Sequence, residues 1–168
     1  MEPQDQTPTP KPEKFPDMGR NQPRIVTGAG GKFVCGYIEW GMLIKFAYES
    51  GWRPLGTIEP DNWEEKRNAD GTPARWFKNN YFSRFGQKIT DEDALSIAVA
   101  LENSLPDVPD HDAVSHKVAA EIEGAGLGRM RMLRPGVRMN SFEFFSGESK
   151  AKLKQFVKFC RAGGFRID

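Results

Sequence analysis

Between Ala74 and Lys88 the chain interleaves five aromatic rings (Trp76, Phe77, Tyr81, Phe82 and Phe85) with four cations (Arg75, Lys78, Arg84 and Lys88). No acid occurs between Asp70 and Asp91. Such a run suits two kinds of recognition. Aromatic faces stack on bases while neighbouring cations meet phosphates, which is how single strands are held. Tryptophan, tyrosine and arginine are also the residues in which protein–protein contacts concentrate their energy. A third role is structural, because large rings can close the core of a small domain. A second basic window, Arg129, Arg131, Arg134 and Arg138, has no acid between Glu123 and Glu143 and extends the nucleic-acid case.

Residues suited to covalent or metal chemistry are sparse. His111 and His116 are the chain's two imidazoles. Asp112 and His116 lie four apart, so a helix would bring them to one face, with Asp107 and Asp110 nearby. That spacing matches no established metal-ligand pattern, and a capped helix start with a surface Asp–His pair accounts for it. Neither metal nor cofactor is expected. The run Val26-Thr-Gly-Ala-Gly-Gly begins like the glycine turn of short-chain dehydrogenases. Lys32 and Phe33 then stand where further glycines are needed, and no Tyr-x-x-x-Lys pair follows. As a phosphate loop it fails as well, with Val26 in the place of the first glycine and Phe33 in that of the Ser or Thr. A flexible hinge is the expected reading. No nucleophile elbow or H-E-x-x-H pattern occurs, and no catalytic residue is assigned.

Composition narrows the field. The 168 residues carry a net charge of +1, so there is no global basic field, and any nucleic-acid site must be a local patch. Cys35 and Cys160 fit no metal or redox spacing and read as reduced thiols. The first residues hold no apolar leader core, and the best apolar window, Trp40 to Ala47, is too short to span a bilayer. These readings give a soluble, cytoplasmic protein without a membrane partner, of undetermined oligomeric state.

The elements that would position these residues follow from periodicity and punctuation. Residues 1–24 hold six prolines among polar residues (Pro3, Pro8, Pro10, Pro12, Pro16 and Pro23) and read as a disordered tail. Residues 25–168 read as a single globular domain. Trp40, Leu43, Ile44, Ala47 and Tyr48 share one face of a helix between Cys35 and Ser50, closed by Gly51 and an apolar Trp52. Phe77, Tyr81 and Phe85 recur every four residues and suggest a short helix ending near Gly86. Thr90 caps the next helix, with Asp91, Glu92 and Asp93 in its first turn and Leu95, Ala98 and Leu101 on its buried stripe. Pro106 stops it. A further amphipathic helix is expected from Asp110 through Val114, Val118 and Ile122 to Gly124. Period-two alternation over 129–144 allows one small β-hairpin. Ser146 starts a last helix through Leu153, Phe156, Val157 and Cys160, with Lys150, Lys152, Lys154 and Lys158 outward. Gly163-Gly164 end it, and Phe165 and Ile167 fold back. The expected fold is mainly α, about four helices with aromatic-rich loops, the hairpin opening an α+β alternative.

Three stretches carry a resemblance. They are Phe46-Ala-Tyr-Glu-Ser-Gly-Trp-Arg-Pro-Leu-Gly-Thr, Gly86-Gln-Lys-Ile-Thr-Asp-Glu-Asp-Ala-Leu with Ala98-Val-Ala-Leu-Glu, and Phe156-Val-Lys-Phe-Cys-Arg-Ala-Gly-Gly-Phe-Arg-Ile. In that order, over about residues 37–167, they resemble small uncharacterised bacterial cytosolic proteins. The resemblance implies no catalytic residue, cofactor or substrate. By analogy it points to partner-binding modules, toxin-neutralising immunity proteins among them.

The expected function is therefore non-enzymatic protein binding through an exposed aromatic–basic surface made of Trp52, Trp63, Arg75, Trp76, Lys78, Tyr81 and Arg84. The alternative is single-stranded nucleic-acid binding over 74–88 and 129–138, through Arg75, Lys78, Arg84, Lys88, Arg129, Arg131, Arg134 and Arg138. An enzyme with an unrecognised site is the remote third reading. The rings at 76–85 are expected to divide between core and surface, since a core of ordinary volume must draw on the twelve phenylalanines and four tryptophans.

Overall fold

Period-two burial marks four short segments as strands, and their inward residues are apolar except Arg24 and Gln87. In the structure, a computed structural model that describes residues 22–112 and 140–168, these segments form one antiparallel sheet. The strands are β1 (Arg24–Gly28), β2 (Gly31–Cys35), β3 (Gln87–Ile89) and β4 (Phe165–Ile167), in the order β2-β1-β4-β3. Val26, Phe33, Cys35, Ile89, Phe165 and Ile167 point inward and are buried. Ile25, Thr27, Lys32, Val34, Lys88 and Arg166 alternate with them on the uncovered face.

The expectation of a mainly α fold is thereby corrected to α+β. Among the described residues four helices, α1 (Tyr37–Glu49), α2 (Asp91–Ser104), α3 (Ser141–Phe144) and α4 (Ser149–Arg161), accompany the four-stranded sheet. The glycine run at 28–31, expected to be a hinge, is the two-residue turn of the β1–β2 hairpin, closed by the Gly28–Gly31 pair. Its glycines serve close approach, since a Cβ on Gly30 would sit 2.8 Å from the Phe159 carbonyl oxygen. The hairpin expected over 129–144 falls mostly outside the described residues, and its last part, Ser141–Phe144, is α3. The amphipathic helix expected through Val114 to Gly124 also lies outside them.

The helices follow their caps. At the end of α1, Gly51 takes φ +101°, its N–H donates to the Tyr48 carbonyl, and the Trp52 N–H donates to that of Ala47. Two such bonds closed by a left-handed glycine satisfy the last carbonyls of a helix. In α2 the Thr90 hydroxyl accepts from the Asp93 N–H at 3.2 Å. The buried stripe of α2 runs through Ala94, Ile97, Ala98 and Leu101, and Leu95 is exposed, one position off the expected face. Tyr48 of α1 is likewise exposed. Lys150, expected outward on α4, is buried. Its ammonium donates to the Val108 carbonyl at 2.6 Å and to Asp110 at 2.8 Å.

The core is aromatic, as the composition requires. Phe33 from β2, Trp40 from α1, Phe156 and Phe159 from α4 and Phe165 from β4 form one ring cluster with centroid separations of 5.2–6.5 Å. It joins the sheet to the helical layer. Cys35 and Cys160 lie in this core as free thiols. Burial pushes the Cys35 thiol up to about 12 and raises that of Cys160 as well.

Candidate aromatic interaction site

Between the end of α1 and the start of β3 the chain makes a long excursion, residues 52–86, with only a single turn of 3-10 helix at Trp63–Glu65. The short helix expected through Phe77, Tyr81 and Phe85 does not form. The segment is turns and extended chain, and the four-residue recurrence sends its rings to different places.

A buried polar network fastens the excursion to the core. The fully buried Asp93 carboxylate accepts from the Trp52 indole N–H at 2.8 Å and the Tyr81 hydroxyl at 2.6 Å. The Tyr81 hydroxyl in turn accepts from the Gly56 N–H at 2.8 Å, and the Trp40 indole donates to the Tyr81 carbonyl at 2.7 Å. Burial, with Asp93 beside it, raises the Tyr81 pKa, so the phenol remains a donor. Gln87, also fully buried, donates to the carbonyls of Asn80 and Ser83 and accepts from the Phe85 N–H, which sets the loop before β3. Arg24, another buried polar side chain, donates to the Phe82 carbonyl and lies over the Tyr37 ring. Desolvation, then Arg84 nearby, lowers its pKa.

Trp52 and Tyr81 are consequently core anchors, at 2 % exposure each, and are removed from the expected contact surface. Asp93 reads in sequence as a helix-dipole acid and Gln87 as an ordinary polar residue. The donors to Asp93 lie 12 and 41 positions away, and no local pattern signals either anchor.

The outer part of the excursion carries the remaining rings. Trp63 packs edge-on against Trp76 at 4.7 Å and against Phe85 at 5.6 Å. Both indole N–H groups are used internally, Trp63 to the Ala74 carbonyl at 3.2 Å and Trp76 to that of Thr57 at 3.3 Å. These hydrogen bonds hold the two indoles in place half-buried, and the exposed ring of the cluster is Phe85. Phe85 is 54 % and Phe77 69 % exposed, and Leu55, Ile58 and Phe82 are about half exposed. Beside the cluster lies a cleft of about 520 Å³ walled by Pro60, Asp61, Trp63, Lys66, Arg84 and Phe85. A neighbouring hollow shares Arg84 and Phe85 and reaches Arg166 and Asp168.

The cations are placed unequally. Arg75 and Lys78 are exposed, with no ion pair among the described residues. Arg84 donates to the Asp168 carbonyl and to Gln22. Lys88 is paired with Asp61 at 3.0 Å on the open face of the sheet. Arg129, Arg131, Arg134 and Arg138 lie outside the described residues, as does His116. Folding also brings the acidic stretch at 59–70 against the 74–88 run: Trp63 meets Trp76, the Ala74 N–H donates to the Lys66 carbonyl, and Arg67 bridges Pro73. From Leu55 to Lys88 there are six cations and five acids, so the surface around the rings is close to neutral. The wall of the cleft combines the Trp63 and Phe85 rings with two acids, Asp61 and Glu65, and two cations, Lys66 and Arg84. Among the described residues no cluster of histidine, cysteine and acid is arranged to hold a metal, and no helix is long and apolar enough to cross a membrane.

The sequence matches no protein-family profile, and neither a curated protein nor a solved structure aligns with it significantly.

Proposed function

We propose that this chain is a non-enzymatic cytosolic protein-binding module, immunity- or adaptor-like, whose contact surface is the Trp63–Trp76–Phe85 cluster with Arg75, Lys78 and Arg84 at its margin. The observation that carries this reading is the pinned ring cluster: two half-buried indoles fixed by internal hydrogen bonds, with the exposed Phe85 ring packed against Trp63. Holding the rings before binding lowers the entropy cost of association, and rigid aromatic anchors beside arginine are where binding energy concentrates. The near balance of charge around them favours a protein over a nucleic acid. A strand-binding groove depends on unneutralised cations along the backbone, and here the acidic 59–70 stretch lies against the basic run.

Immobilised protein exposed to extract of its native host provides the test. The wild type should retain a discrete protein in the presence of nuclease, and Phe85→Ser and Trp76→Ala, with circular dichroism unchanged, should lose it. Retention that disappears with nuclease, or purified protein binding single-stranded RNA with a steep salt slope, would replace this reading with the nucleic-acid one.

A further inference from the structure

We propose a second docking surface, independent of the aromatic cluster: the outer edge of β2 receives an extended acidic segment of a partner protein as a fifth strand. The direction of the backbone groups follows from the sheet. The Asp168 N–H donates to the Ile25 carbonyl at 2.8 Å, so Ile25 and Thr27 direct their polar groups toward β4. The alternate residues of β1, Arg24, Val26 and Gly28, then face β2 and pair with Cys35, Phe33 and Gly31. The N–H and C=O groups of Lys32 and Val34 therefore point away from the sheet, and among the described residues no hydrogen bond reaches them. The opposite edge differs, since Lys88 of β3 exchanges two backbone hydrogen bonds with Ile58. β2 is thus the open edge, and Lys32 and Val34 are both exposed.

Charge identifies the occupant. No acid occurs among residues 22–38, and α4, which packs beside β2, has none from Ser149 to Arg161. Lys152 of α4 places its ammonium 5.4 Å from the Phe33 ring, on the inner side of the edge, and Lys32 stands on the outer side. Neither makes an ion pair among the described residues. The acids near the edge are engaged elsewhere: Glu39 accepts from the Gly36 N–H at 2.7 Å, and Asp168, which accepts from the hydroxyl of Thr27 opposite Lys32, is paired with Arg166 at 2.8 Å. A segment lying on this edge is thus flanked by two unneutralised lysines, one above and one below. A second copy of the chain would bring Lys32 and Lys152 against their own counterparts, whereas an acidic strand satisfies both the backbone groups and the charges.

Amide hydrogen exchange by NMR tests this, with a blocked eight-residue peptide alternating glutamate and valine as probe and its lysine–valine counterpart as control. In the free protein the Lys32 and Val34 amides should exchange as unprotected groups. The acidic peptide should slow both by about tenfold or more and the lysine peptide should not, a tenfold change corresponding to about 1.4 kcal/mol. Lys32→Glu with Lys152→Glu should weaken the acidic peptide by about tenfold, as expected for two exposed charge pairs at the upper end of their usual worth. Val34→Pro removes an outward donor without removing a β1–β2 bond and should abolish the protection. Three results would overturn the proposal. Protection already present in dilute free protein would mean that the edge is covered by the chain itself. Protection that grows with protein concentration would mean that a second copy occupies it. Absence of any effect of the acidic peptide would leave Lys32 as a guard against edge pairing.

Discussion

Asp93 holds the aromatic excursion to the helical layer through two side-chain donors, and its removal leaves both without an acceptor in a dry site. Asp93→Ala should therefore cost about 3 kcal/mol, from stranded donors worth about 1–3 kcal/mol each. Tyr81→Phe, which keeps the ring, should cost about 1.5 kcal/mol. Urea denaturation of both variants and the double mutant should show coupling between them, with cleavage by protease in 55–80 preceding global unfolding in Asp93→Ala. The titrating core groups give a pH prediction. Cys35, Cys160 and Tyr81 all become anionic on losing a proton, and burial raises all three in the folded chain. The folded chain thus retains protons that the unfolded chain releases, beginning near the ordinary thiol value of 9.0. Stability should be undiminished by these groups below about pH 9 and fall as pH rises above it, by up to about 1.4 kcal/mol per pH unit for each buried thiol. Urea midpoints between pH 7 and 10.5 would show the decline, and replacing both cysteines by alanine should flatten it, leaving the phenol's part above pH 10.

At the scale of elements, the helix ends were legible, apart from the last helix, which begins at Ser149 behind Glu148 and not at Ser146, and the strands were not, for a physical reason. A helix terminus is signalled within four residues, as at Thr90 with its acids or Gly51 with Trp52. A strand of three to five residues has almost no period to detect, and here its partners are distant: β1 pairs with β4 across more than 130 positions. Gln87-Lys88-Ile89 shows no β signal of its own, and the hairpin turn was hidden by a glycine run that suggests a hinge. The recurrence of Phe77, Tyr81 and Phe85 misled for a related reason. Tyr81 is drawn inward by Asp93, while Phe85 is held outward by Gln87 and Trp63. The basic character of 74–88 was legible but incomplete, because the fold lays the acidic 59–70 stretch against it and pairs Lys88 with Asp61, while Arg75 and Lys78 stay without an ion pair among the described residues. Two glycines separate local from tertiary demands. A Cβ on Gly41, inside α1, meets nothing within 4 Å, so Gly41→Ala should stabilise by about 0.5–1 kcal/mol. On Gly28 it would press on the Gly164 carbonyl and lie 2.8 Å from the Phe165 Cβ, so Gly28→Ala should destabilise by about 2 kcal/mol or more by forcing β1 and β4 apart. Thermal denaturation of the pair should move in opposite directions.

For the whole molecule, a sheet with one covered face, an aromatic core and a net charge of +1 offers no extended field to steer a polyanion. What it does offer is a pinned cluster of rings on an excursion fastened by buried polar groups. The central claim, that these rings meet another protein, is tested most directly by placing a benzophenone-bearing amino acid at Phe85 in the native host, with Val99 on the exposed side of α2 as control. Irradiation should produce one discrete, nuclease-resistant protein adduct at position 85 that is absent at 99 and lost when Trp76→Ala is added. An adduct at 85 that is destroyed by nuclease, or identical labelling at both positions, would contradict the account.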